Sequence, residues 1–157
     1  MDVYEQKFAD YCKSKKLFFQ PLYFEASTHS VADAAKAANC TEKDLVKNLC
    51  LLTRSGGLVV AILRGDSRLD KAKLEQLVGE RLSFCSAEQV LEKTGYPAGG
   101  VPSLGLTGRI FIDALIVERD VVLCGGGSSK SLARVRADDI IDDCGAVVAD
   151  LALAVTL

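Results

Sequence analysis

One histidine, His29, and no cysteine pair at C-x-x-C spacing occur in this sequence, although it holds six cysteines. Zinc needs three or four nitrogen or sulfur ligands, usually in closely spaced pairs, so no metal site is expected. Cys12, Cys40, Cys50, Cys85, Cys124 and Cys144 are scattered along the chain. They read as small buried thiols in a reducing compartment. No apolar run approaches the roughly 20 residues that span a bilayer. Residues 1–10 carry acids and aromatics early and lack a signal-peptide pattern. These absences predict a soluble, cytoplasmic protein with no membrane partner. An excess of positive charge is missing too: 19 Lys and Arg stand against 21 Asp and Glu, a net charge of −2. Proteins that grip a long duplex through its phosphates are usually basic. DNA is therefore not expected as a partner, and any RNA should be touched locally, for example at one end.

What is present is enough for one compact domain. At 157 residues, 49% of them hydrophobic, folding should bury roughly 70% of the unfolded surface without a staple. Tyr4, Phe8, Tyr11 and Cys12 recur at helical spacing and predict a first amphipathic helix. Residues 18–24 read as an aromatic-rich strand interrupted by Pro21. Ser30 and Asp33 form a capping-box signature ahead of Ala34, Ala35 and Ala38, and Thr41 with Asp44 opens a second short helix in the same way. The apolar runs 48–53 and 58–63, joined by Ser55-Gly56-Gly57, predict a hairpin. Helices are expected at 70–78, at 86 to about 95, and at 138–144. Strands are expected at 81–85, 110–113, 121–124, 132–135 and 146–149. Hairpin signals without a strict βαβ rhythm predict a mixed α/β fold, a mixed sheet with helices outside.

Motif by motif, the residues leave several readings open. A Ser/His/Asp triad would have to use His29, and no G-x-S-x-G elbow accompanies it. The run Gly125-Gly126-Gly127-Ser128-Ser129-Lys130-Ser131 suggests a phosphate loop, but Cys124 and Ser129 stand where that motif needs glycine. A strand follows it where a helix is required. Lys47 precedes an apolar strand and reads either as an exposed boundary lysine or as a residue at a cleft mouth. Gly99-Gly100 reads as an ordinary turn or as a place where a ligand approaches backbone amides.

Taken in order, these segments resemble a known family. They are Thr28-x-Ser-Val-Ala-Asp-Ala-Ala35, Asp44-Leu-Val-Lys-Asn48, Val59-Val-Ala-Ile-Leu-Arg-Gly-Asp66, Thr94-Gly-Tyr-Pro-Ala-Gly-Gly-Val-Pro102, Gly125-Gly-Gly127 and Gly145-Ala-Val-Val148. Together they resemble the YbaK/prolyl-tRNA synthetase-associated editing domain over residues 27–150, most specifically in the T-G-Y-P-x-G-G-V-P loop. The resemblance implies a strongly curved, partly barrel-like mixed sheet wrapped by helices. It also implies hydrolysis of an amino acid wrongly esterified to tRNA, with a small residue such as alanine or cysteine on proline tRNA as the expected substrate. No synthetase catalytic domain fits within the sequence, so a free-standing, trans-acting form is expected. The implied partners are the acceptor end of an aminoacyl-tRNA and an aminoacyl-tRNA synthetase, and no cofactor is implied.

By the same resemblance Lys47 is the catalytic residue. Tyr23, Gly99, Gly100, Val101, Pro102, Ser103, Gly126 and Gly127 form the substrate-binding set. Two features depart from many relatives: Ser103 follows Pro102 where proline is common one residue later, and Lys130-Ser131-Leu132 follows the second glycine loop where a polar or acidic residue is common. Two other readings compete. One is a non-catalytic module that binds an aminoacyl-tRNA end or a synthetase. The other is a small-molecule or nucleotide binder that uses the 125–131 loop.

Overall fold

The computed structural model describes residues 1–154. The first helix, α1 (Val3–Lys15), starts on a reciprocal cap in which the Glu5 amide donates to the Asp2 carboxylate and the Asp2 amide to that of Glu5, both at 2.7 Å. It is followed by β1 (Gln20–Tyr23), α2 (Val31–Ala38), a single 3₁₀ turn (Glu42–Asp44), β2 (Val46–Thr53), β3 (Leu58–Arg64), α3 (Lys71–Val78), β4 (Leu82–Phe84) and α4 (Ala87–Thr94). Then come β5 (Arg109–Asp113), α5 (Ala114–Val117), β6 (Val121–Gly125), β7 (Ser131–Arg136), α6 (Ala137–Cys144) and β8 (Val147–Ala149).

The fold is a mixed α/β architecture in which the strands form two sheets. Five strands run in the order β4-β2-β3-β5-β8 and three in the order β1-β7-β6. The β3–β5 and β5–β8 pairs are parallel, and the other pairs are antiparallel. One parallel bridge, Leu45 to Leu123, joins the sheets. The curvature does not close into a barrel, and the opening lies beside β2.

Burial explains why β3 reads as an unbroken apolar run: it is covered on both faces. Val59, Ala61 and Leu63 pack under Leu74 and Val78 of α3. Val60 and Ile62 face the opposite way, into a core with Phe8, Ile110, Ile112, Val122 and Val135 that α1 and the smaller sheet complete. Phe8 anchors α1 there, edge-on to Phe19 at 5.2 Å. The far side of the smaller sheet is capped by Ala34 and Ala35 of α2 against Leu123 and Leu132.

Three local expectations change. Pro21 lies inside β1 instead of interrupting it, because β1 is an edge strand paired only with β7 and needs no amide on its free side. Thr41 and Asp44 do interact, with the Thr41 amide donating to Asp44 at 3.0 Å, yet they enclose only the 3₁₀ turn. The chain must become extended by Leu45 to reach Leu123, which leaves no room for another helical turn. Helix α5 has no counterpart in the sequence reading. It is a single turn started by Asp113, which accepts the Leu115 amide at 3.2 Å. No helix among the described residues is long and apolar enough to cross a membrane.

Candidate active site

Strand β2 meets β4 only from Leu51 to Thr53, and on the same side Leu45 bridges to Leu123. Between these points its outer edge has no strand partner among the described residues. The Cys50 carbonyl accepts the Cys85 amide at 2.9 Å, so that carbonyl points outward. Backbone groups alternate sides along a strand, which aims the amide and carbonyl of Asn48 outward as well. A cleft of about 330 Å³ runs along this free edge. Its walls are the 28–34 segment that enters α2, the loop that carries Ala98, Gly99 and Val101, and Gly125 with Leu132 from the smaller sheet.

Lys47 borders the cleft from β2. Its Nζ donates to the Gly65 carbonyl at 3.3 Å. Gly65 can supply that carbonyl because it has no side chain: a Cβ there would overlap the Glu42 carbonyl and come within 2.9 Å of Val31. Burial lowers the Lys47 pKa from the ordinary lysine value, while the Glu42 and Asp66 carboxylates push it back up and Arg68 adds to the lowering. The result is a partly desolvated amine beside an apolar hollow, with few bonds of its own to break when an anionic group arrives.

Asn48 was not singled out by the sequence reading, yet it fixes the opposite wall. Its Nδ2 donates to the Val101 carbonyl at 2.9 Å, and its Oδ1 accepts the Ser103 hydroxyl at 2.9 Å. One side chain therefore clamps the Gly99-to-Ser103 loop to β2. The available signal was a polar residue in core-facing phase with Val46 and Cys50 inside an apolar strand. Replacing Asn48 with alanine strands a buried Ser103 hydroxyl and the Val101 carbonyl. Unfolding in urea is expected to show a loss of about 1–3 kcal/mol; an unchanged midpoint and slope would contradict the clamp.

The two glycine-rich loops lock to each other through backbone. The Gly127 amide donates to the Gly100 carbonyl at 2.8 Å. A Cβ on Gly100 would fall 2.8 Å from Gly127, and one on Gly125 would overlap the Val101 carbonyl. At Gly99 the backbone has φ +83°, and the His29 ring occupies the place where a Cβ would go. Only glycine fits such a position.

The residues named from the sequence therefore separate. Lys47, Gly99 and Val101 border the cleft. Gly100, Pro102 and Ser103 are buried behind its wall and hold it in place. Gly126 packs on Ser131 and Leu132, and Gly127 on the Tyr4 carbonyl of α1, so both face away from the lining. Tyr23 is 45% exposed on β1, opposite Ser131, and is not among the residues that border the cleft. Besides Lys47, the lining brings in His29 and Cys50. Burial pushes the Cys50 thiol up to about 12, which leaves very little nucleophilic thiolate at neutral pH.

Comparison with known proteins gives the family of the chain. Residues 25–142 match the model of the aminoacyl-tRNA editing domain, and the chain belongs to that family. A proline–tRNA ligase of Maridesulfovibrio salexigens is 35% identical over 119 residues, which are 74% of this chain and 20% of that one. The chain thus spans about a fifth of the length of the ligases it matches. YwhH of Bacillus subtilis, an uncharacterised protein, is 27% identical over 69% of this chain and 70% of its own. Among solved structures, a candidate trans-editing enzyme for prolyl tRNA synthetase superimposes with a TM-score of 0.86 at 27% identity, covering 98% of this chain and 99% of the other.

Proposed function

We propose that this chain hydrolyses, in trans, the ester that joins a wrong amino acid to tRNA, with a small residue such as alanine or cysteine on proline tRNA as substrate and the cytoplasm as its place of work. The observation that carries the reading is the cleft itself, where the Lys47 amine and the Gly99-to-Val101 loop border one apolar hollow along an unpaired strand edge. Family membership and the likeness to a candidate trans-editing enzyme support this reading.

The chemistry asks for little beyond positioning and charge. Water attacks the ester carbonyl and an oxyanion forms. The bond to the ribose oxygen then breaks, and that oxygen takes up the proton released by the attacking water. Lys47 supplies positive charge to the developing oxyanion or to the terminal phosphate. Donors of this kind contribute about 10²–10³ in rate when fixed in place before the reaction. The loop amides orient the aminoacyl group. Among the described residues no carboxylate borders the cleft, and Val31, Ala34, Val46 and Leu132 line it with apolar surface. A short uncharged side chain fits that lining, and a cationic one would lose its hydration with no counter-charge. The outward carbonyl of Asn48 is an acceptor within reach of the cleft for the α-ammonium.

The test is a deacylation screen over tRNAs charged with matched and mismatched amino acids. The reading predicts turnover confined to small amino acids on a non-cognate tRNA. Binding of the same tRNAs without turnover would replace it with a non-catalytic recognition module.

A further inference from the structure

The cleft ends where β4 joins β2, and the side chain there is Phe84, an aromatic 56% exposed to solvent. Its place follows from the pairing. Phe84 lies directly opposite Leu51, and Leu51, Leu49 and Lys47 alternate onto the same face of β2. Leu49 borders the cleft and is the diagonal neighbour of Phe84, at the roughly 7 Å typical of such pairs. From Lys47 to the level of Phe84 is four residues of strand, about 13 Å. An apolar surface therefore leads from the cleft onto an exposed ring.

The ring has a cationic neighbour. Lys71, at the start of α3, places its Nζ 5.8 Å from the ring centre. It makes no ion pair among the described residues, whereas Lys73, on the same helix, is held by Asp150 at 2.9 Å.

We infer that Phe84 is a stacking platform for an unpaired nucleotide of the tRNA acceptor end, with Lys71 taking the adjoining phosphate. This rests on the reading of the cleft as an aminoacyl-tRNA site and extends it from the ester to the strand that carries the ester. An aromatic face with an unpaired cation beside it suits a base and its phosphate, because every base has a face to stack and every linkage a negative charge. It also reconciles a net charge of −2 with an RNA ligand: contact is made at a few nucleotides and not along a duplex.

The experiment measures binding of an uncharged RNA hairpin with and without an unpaired 3′ extension. Because no ester is present, the result is independent of turnover, so this inference and the deacylase reading fail separately. Wild-type protein is expected to bind the extended hairpin more tightly than the blunt one. Phe84→Ala should weaken binding of the extended hairpin about tenfold or more, the scale of one lost base stack, and Phe84→Trp should retain it. Lys71→Ala should lower affinity and make it less dependent on salt, by about one ion. The exposed position of Phe84 lets the variants fold, and circular dichroism checks that they have. Equal binding of blunt and extended hairpins, or full affinity in Phe84→Ala, overturns the inference; the second result is also the one expected if this face serves a protein partner.

Discussion

Lys47→Ala is expected to slow hydrolysis of the mischarged ester at least about a hundredfold, the scale of one preorganised electrostatic donor. The protein should remain folded. A lysine whose pKa is lowered by folding binds its proton less well in the native state than in the unfolded one. Its charged form is therefore a cost to stability at neutral pH, relieved only as pH rises through the folded pKa towards the ordinary lysine value. Removing the amine lifts that cost and gives up one 3.3 Å bond to Gly65 and the packing of the stem. These oppose each other, and the net change in unfolding free energy is expected within about 0.5 kcal/mol. Lys47→Arg should not restore full rate. Its planar fork needs more room than an ammonium and aims its donors differently. Single-turnover deacylation with each variant reads these effects. A Lys47→Ala protein that keeps the wild-type rate removes Lys47 from the mechanism.

The second large effect is expected at Gly125, where Gly125→Ala forces a methyl group into the Val101 carbonyl. The obstacle is backbone from a loop already clamped by Asn48, so no side chain can swing aside. Overpacking of this kind costs about 1–3 kcal/mol. The two loops must part, which also moves Gly99 and Val101 relative to Lys47 across the cleft. Both stability and rate should therefore fall, with the rate loss exceeding what the unfolded fraction explains. Equilibrium unfolding combined with deacylation at a temperature where the variant is folded separates the two. A variant with wild-type stability would show that the loops are not locked there.

Much of the fold was legible because its signals are local. Ser86 and Gln89 cap α4 reciprocally, and the 58–63 run became a strand buried on both faces. What the sequence could not display was long-range. The Leu45–Leu123 bridge joins segments far apart in the chain and leaves no periodic trace, yet it links the two sheets and bounds the free edge of β2 at one end. The site was legible in a similar, partial way. Lys47 and the glycine loop stood out through family resemblance, but resemblance alone could not separate Gly99, at the cleft, from Gly127, packed on α1. Asn48 stayed hidden because its importance lies in two partners, Val101 and Ser103, that only folding brings to it.

The central claim is that this cleft cleaves a small amino acid from a tRNA that should not carry it. The most direct measurement is the release of labelled alanine from proline tRNA by catalytic amounts of the purified protein, with correctly charged prolyl-tRNA followed in parallel. The account predicts multiple turnovers on the alanyl ester, little loss of the prolyl ester, and at least a hundredfold slower release by Lys47→Ala. Alanine release no faster than in buffer, from wild-type protein that is folded and binds the tRNA, would contradict it.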